Sequence, residues 1–469
     1  MIRLPGTGTL SAPDRRALTF LTDLARLIPV ADAAADVVTI DLTDRPVSFD
    51  TLRSWRDADW GIAPGDGVIH VARAALRLLG DVVDAARERT ASARDRFGRV
   101  PSTENAIVAE GLERKPIVSQ AAAAFRVAAC AAAGRRPLRL AAPWPDGRRW
   151  AVAVTHDLDV VEWWPAFTAL RLAELARKGA WGRAARAGMA AIGAIGSNPV
   201  NRGIGALLET ERARAVHSTW FILCGTPSWR TFRAGDLTYR PESATARAVL
   251  ADVLRNGHAI GLHGSFATLT EPAGETFTAQ RTRLAGLVER EVAGVRQHFL
   301  RFDPDRTPRA MRAAGFRYDS TSGFADRNGF RLGVCDVLPA WYAEGQGSPL
   351  AEVPFAWMDR ALSKYRDVED PAAWVTDALE LASACRTVEG LWVGVWHPNL
   401  IPPLGFPDAP AAYARLLEGL LAGDPFVGTL DELVRWREAR AGLRVVRVAP
   451  DGRVELEGKS AVPLEAPAR

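Results

Sequence analysis

The chain has 469 residues, 48% hydrophobic and 24% charged, which excludes wholesale disorder and allows two or three domains with a sizeable core. Lys and Arg number 59 against 55 Asp and Glu; the resulting +4 is too little over this length for a nucleic-acid footprint. In chain order, Val37–Leu42 and Gly67–Val71 read as short strands, Ala74–Ala85 and Val118–Ala133 as helices, and Arg96–Thr103 as a polar connector. The Pro/Gly-containing stretch Ala142–Arg149 marks a boundary. Beyond it, Trp150–Val154 is a continuous apolar run suited to a strand buried on both faces, and it leads into Thr155-His156-Asp157-Leu158-Asp159. Helical sequence from Trp163 to Arg214 precedes a second buried strand, Ser218–Leu223. A helix at Ala244–Asn256 leads to a strand at His258–Leu262, and a helix around Phe277–Gly294 leads to Arg296–Phe302. Strands follow at Arg317–Tyr318, Ala351–Pro354 and Leu391–Trp396, then a closing helix at Leu430–Ala439. This alternation predicts parallel βα units. Leu443–Val448 and Arg453–Glu457 flank an Asp-Gly turn and predict a terminal hairpin.

The cysteines, Cys130, Cys224, Cys335 and Cys385, form no CxxC pair and fit a reducing compartment. Met1–Leu10 lacks a secretory pattern, and the longest apolar stretch, Ala121–Ala133, is short and broken by Arg126. The expectation is a cytoplasmic protein without a membrane span. Three parts are expected: an N-terminal α/β module at 1–145, a βα unit at 146–440 and a β tail at 441–469.

In parallel α/β sheets, active sites form at the carboxyl ends of strands. Asp157 and Asp159 occupy one such end, where one carboxylate can bind a metal ion while the other accepts a proton; the alternative is a helix cap. His263 ends the strand at His258–Leu262, and imidazole is a common ligand for zinc. His397 follows Leu391–Trp396, where it can serve as a general acid or as a satisfied structural histidine. Arg296 and His298 follow the helix around Phe277–Gly294, and Arg296 can pair with a carboxylate of the site.

The order and spacing of these motifs resemble the polysaccharide deacetylase family, the NodB-homology or carbohydrate esterase family 4 group, in its HDxD branch. The resemblance covers about residues 148–440. It rests on THDLD at 155–159, STWFIL at 218–223, GHAIGLHGSF at 257–266, RQHFLRF at 296–302, GFRYDST at 315–321, EVPF at 352–355, WHP at 396–398 and TLDELVRW at 429–436. Residues 96–133, with FGRVPS and RKPIV, are similar to the N-terminal region of that branch. The resemblance implies a distorted (β/α) barrel and a hydrolase that releases acetate from an N-acetylated sugar or polysaccharide in envelope metabolism. It implies Asp157 as general base, Asp159 and His263 as ligands of a divalent metal, most naturally zinc, and Arg296 as the group that positions the base. It further implies the Phe299 backbone N–H as an oxyanion donor and His397 as general acid.

One position departs from the pattern. The family carries a second ligand histidine four residues after the first, and here that residue is Ala267. His156 is a replacement to weigh, although strand alternation points it away from the two aspartates. His258, five residues before His263, reads as structural. The vacancy motivates an alternative, a catalytically altered protein that binds a glycan or partner. Trp341 and Trp396 are candidates to stack on sugar faces, with core packing as the other reading.

Overall fold

In the computed structural model, the described residues are 2–6, 10–30, 37–52, 59–136, 138–229, 233, 239–269, 273–339, 350–448, 454–457 and 460–467. Strands are numbered in chain order. Four make a small N-terminal sheet in the order β1 (Ile2–Arg3), β2 (Val38–Thr43), β4 (Val68–Ala72), β3 (Ile62–Pro64). Only the β3–β4 pair is antiparallel. Helices Ala12–Leu24, Arg73–Val83 and Ile117–Ala133 bury their apolar residues with this sheet in a core that also takes in Leu332, Val334 and Leu338. β5 (Leu140–Ala141) pairs antiparallel with the last strand, β18 (Leu464–Glu465). The C-terminal tail is therefore tied back to the segment that precedes the large sheet, a link its sequence does not reveal. The expected hairpin is present as β16 (Val445–Val448) against β17 (Val454–Leu456), and its turn lies outside the described residues.

The large sheet is built around β6 (Ala151–Leu158), all eight residues of which are buried. On one side of β6 run β7 (Thr219–Leu223), β8 (Ala259–Gly264), β9 (Gly294–Gln297), β10 (Tyr318–Asp319), β12 (Ala351–Glu352) and β11 (Leu338–Pro339). On the other lie β14 (Leu391–Val395) and β13 (Trp357–Met358), while β15 (Phe426–Val427) pairs with the first residues of β6. Every neighbour pair is parallel except β11–β12. The sheet curls into the distorted (β/α) barrel that the resemblance implies, open between β11 and β13.

Strand periodicity sorts the side chains. Val152 and Val154 of β6, Trp220 and Ile222 of β7, and Trp392 of β14 join the outer core under the helices. Ala151 and Ala153, Phe221, and Leu391, Val393 and Val395 fill the interior. Successive strand residues alternate faces, so Thr155 and Asp157 continue the interior series and His156 the outer one. By the same parity Trp396 points outward and His397 inward. The closing helix, Leu430–Ala441, starts on a capping box in which Thr429 and Glu432 satisfy each other's backbone N–H.

Candidate active site

Four strand ends deliver the site: β6 brings Asp157 and Asp159, β8 brings His263, β9 brings Arg296 and His298, and β14 brings His397. All but Arg296 line one cleft of about 640 Å³, together with Phe299.

Arg296 is fully buried and all three of its guanidinium nitrogens donate. Nη1 donates to Asp157 Oδ1 and to Thr155 Oγ1, both at 2.8 Å; Nε and Nη2 donate to the Ser320 carbonyl and hydroxyl at 2.9 Å. Its plane lies over Phe221 at 4.3 Å. Lysine could not reproduce this fork. Burial raises the Asp157 carboxyl, but the charges of Arg296, His263 and His397 outweigh it and hold the group below the usual carboxylate range. Asp157 is therefore ionised, with Oδ2 not engaged by Arg296.

His263 is fixed by its Nδ1–H, which donates to the Arg296 carbonyl at 2.9 Å and turns Nε2 toward the two aspartates. That Nε2 lies 3.4 Å from Asp159 Oδ1 and 3.8 Å from Asp157 Oδ2. His298 Nε2 lies 3.6 Å from the same Asp159 oxygen. Ligand atoms of Asp159, His263 and His298 all fall within 4.8 Å of one another. Asp159 Oδ1 is buried and makes no well-aligned hydrogen bond among the described residues. Burial opposes the charge on Asp159, yet His298, His263 and His397 hold its carboxyl far below the usual range. One carboxylate and two imidazoles converging on a buried oxygen without a well-aligned donor is a donor set that fits a divalent ion such as zinc.

His298 thus stands where it could offer the donor that Ala267 cannot. Parallel pairing places His263 beside Arg296 in register, and His298 is two residues further along the same interior face. The chain then turns sharply, with Phe299 and Leu300 at φ +58° and +53°. Left-handed backbone at two non-glycine residues costs about 1–2 kcal/mol each, a local strain retained beside the site. The His298 ring is stacked between this turn and the cleft, 4.0 Å from the Phe299 ring and 5.0 Å from His263. His156 does not take the vacant role. It is fully buried on the outer face, with Nδ1 at 2.8 Å from the Trp396 carbonyl and Nε2 at 2.8 Å from Glu211.

His397 is held by Asp359, which accepts from its backbone N–H at 2.5 Å and from Nδ1 at 2.7 Å. Burial disfavours its cation, but Asp359 and then Asp159 raise its pKa above the ordinary histidine value. Nε2 faces Asp159 Oδ2 at 3.6 Å. Trp396 is not a sugar platform: it is 3% exposed and packs on Trp357, Trp374 and Tyr413, as its outward parity requires. Trp341 lies outside the described residues.

Sequence reading missed further cleft residues. Arg99 reaches in from the N-terminal segment, donating from Nη1 to the Phe299 carbonyl at 2.8 Å and from Nη2 to Tyr365 Oη at 3.2 Å. Arg96, Arg177, Arg360 and Lys364 also line the cleft. Lys364 is exposed on the concave wall of the cleft; desolvation by that wall, then the charges of Arg360 and Arg96, lowers it to about 8. The FGRVPS motif carried a signal for Arg99, whereas Lys364 and Arg360 lie outside every motif.

No family model matches the chain, and no curated protein matches it. Solved structures do. A Mycobacterium smegmatis protein described as a polysaccharide deacetylase is 22% identical, with a TM-score of 0.42 over 63% of this chain and 93% of that one. The chitin deacetylase of the fungal pathogen Colletotrichum lindemuthianum is 12% identical, with a TM-score of 0.32 over 60% of this chain and 86% of that one. A carbohydrate esterase family 4 pseudoenzyme from Bacillus anthracis is 10% identical, with a TM-score of 0.29 over 62% of this chain and 66% of that one.

Proposed function

We propose that the chain is a metal-dependent hydrolase that removes the acetyl group from an N-acetylated carbohydrate. The observation that carries this reading is the composition of the cleft. An arginine-held carboxylate, a three-donor metal set and an aspartate-backed histidine line one cavity at the carboxyl ends of four strands. Asp159, His263 and His298 would hold the divalent ion, most naturally zinc, whose Lewis acidity polarises a carbonyl and acidifies water. Asp157, ionised through Arg296, accepts the proton of the attacking water. The backbone N–H of Phe299 steadies the oxyanion, and His397, protonated through Asp359, gives its proton to the departing amine. Free amine and acetate are the products.

The lining also bears on the substrate. Arg96, Arg177, Arg360 and Lys364 make no ion pair among the described residues, and Glu174 is the only carboxylate of the cleft outside the Asp157–Asp159 pair. An N-acetylated sugar that carries a phosphate or a uronate complements that field. The alternative, a catalytically altered or inactive protein that binds a glycan or partner, was motivated by Ala267; a third donor at His298 supports the hydrolase reading in its place. Acetate release is the test, measured on neutral and anionic N-acetylated oligosaccharides with added zinc or cobalt and after chelation. Metal-stimulated release, faster on the anionic substrates, is expected. No release from any substrate by metal-replete protein would falsify the hydrolase reading.

A further inference from the structure

The segment between β6 and β7 begins with two helices, Trp164–Arg177 and Trp181–Ile192, joined through Gly179. They are poorly buried for helices of this protein. The first buries only Thr168 and Leu175 and the second only Ala187, whereas the next helix, Pro199–Arg212, buries six residues in fourteen. What they expose is apolar. Nine large hydrophobic residues are exposed among the described residues, and six fall here: Trp163 at 58%, Leu170 at 60%, Trp181 at 69%, Met189 at 65%, Ile192 at 69% and Ile195 at 77%. Scattered exposed hydrophobics need no explanation, but this concentration does. Trp181, Ala185, Met189 and Ile192 are exposed at spacings of four, four and three, one stripe along the second helix.

The charge of the same segment selects what covers it. Residues 162–197 contain five cations (Arg171, Arg177, Lys178, Arg183, Arg186) against two carboxylates (Glu162, Glu174). Arg171 and Lys178 pair with Glu174, Lys178 also with Asp367, and Arg183 with Glu369, so the cations left exposed and without an ion pair among the described residues are Arg177 and Arg186. A second copy docked by two-fold symmetry would bring these cations toward each other. Anionic lipid headgroups would instead neutralise them while the indole and aliphatic side chains enter the interface. No helix of the described residues is long and apolar enough to cross a membrane, so the contact is peripheral. The first helix is also a wall of the cleft, through Phe167, Leu170, Arg171, Glu174, Arg177 and Lys178.

We propose that this helical pair seats the protein on an anionic membrane surface, with the cleft mouth beside the headgroups. The inference does not depend on the hydrolase reading. The full-length chain is to be co-sedimented with vesicles of phosphatidylcholine alone and of phosphatidylcholine containing one third phosphatidylglycerol. Binding to the anionic vesicles is expected, about tenfold tighter than to the neutral ones and weakened by salt. The double variant Trp181→Ser/Ile192→Ser, which changes no cleft residue, should lose about tenfold in vesicle affinity and keep acetate release from a soluble substrate. Asp157→Asn should bind vesicles like the wild type, which separates this idea from the proposed chemistry. The proposal is overturned by equal binding of both vesicle types, by absent binding, or by undiminished binding of the double variant. Light scattering that shows a wild-type dimer abolished by the same double variant would overturn it in favour of a second copy.

Discussion

Two clusters of histidine and carboxylate sit back to back across β6. The outer one joins His156, Glu211, His258, Ser218 and Tyr413; the inner one joins Asp157, Asp159, His263, His298, His397 and Asp359. The residue types are the same, and His156 and Asp157 are chain neighbours. What separates them is satisfaction. In the outer cluster Glu211 accepts from His156 at 2.8 Å, from Ser218 at 2.9 Å and from Tyr413; His156 and Glu211 are out of contact with water, and only His258 Nε2, 3.7 Å from Glu211, lacks a well-aligned partner among the described residues. In the inner cluster Asp159 Oδ1 faces two imidazoles without a well-aligned donor and opens on a cleft. A closed network specifies the core; an open one can bind and react.

The comparison breaks most sharply at Asp157. Asp157→Asn keeps the shape of the side chain and removes its charge, so acetate release should fall about 10²–10⁴-fold. Metal content, read by elemental analysis, should stay near that of the wild type. Unchanged release would assign the base elsewhere. Next comes His298→Ala, which should weaken zinc binding by about 10–100-fold or more. Ala267→His in that background tests whether the position the family uses can restore it; recovery of bound zinc would show that the two sites are interchangeable, and no recovery would show that the turn at Phe299 is needed.

The residues that built this contrast were unequally legible. The continuous run Trp150–Val154 and the motif that follows it placed β6 and its two aspartates, because a strand buried on both faces has a one-dimensional signature. Period two placed Asp157 inward and turned His156 away. The proposed third donor was hidden because motif spacing looks along one segment, to Ala267, whereas His298 arrives from the neighbouring strand through the register of β8 with β9. Asp359, between β13 and the helical turn that follows, was equally invisible: its partner His397 is 38 residues away. Trp396 misled because an aromatic beside a site histidine is attractive, yet adjacency on a strand means opposite faces. The tie between β5 and β18 spans more than 300 residues and leaves no local pattern.

Asp359→Asn acts on the open cluster at one remove. It removes the charge that raises His397, so the protonated acid is lost at lower pH and the alkaline limb of kcat/KM should move downward, with a loss of about tenfold or more near neutrality. A profile that drops uniformly without moving would mean that Asp359 only holds the ring in place.

The closed cluster gives the smallest effect on chemistry and completes the comparison. Glu211 is surrounded by donors, so Glu211→Gln forces an amide N–H₂ against a hydroxyl or imidazole N–H. Stability at neutral pH should fall by about 1–3 kcal/mol, read by urea unfolding, while acetate release below the transition stays unchanged. The pH dependence has a definite sign. Burial raises the Glu211 carboxyl, but His156, by charge and hydrogen bond, with His258 and Tyr413, leaves it below its unfolded value of 4.5. A depressed folded pKa contributes stability that is present above 4.5 and is lost as the pH falls through the folded value. The wild type should therefore lose its advantage over Glu211→Gln on acidification, and the two unfolding curves should converge at low pH. A difference that stays constant down to acid pH would mean that the carboxylate charge is irrelevant there and that only packing separates the two proteins.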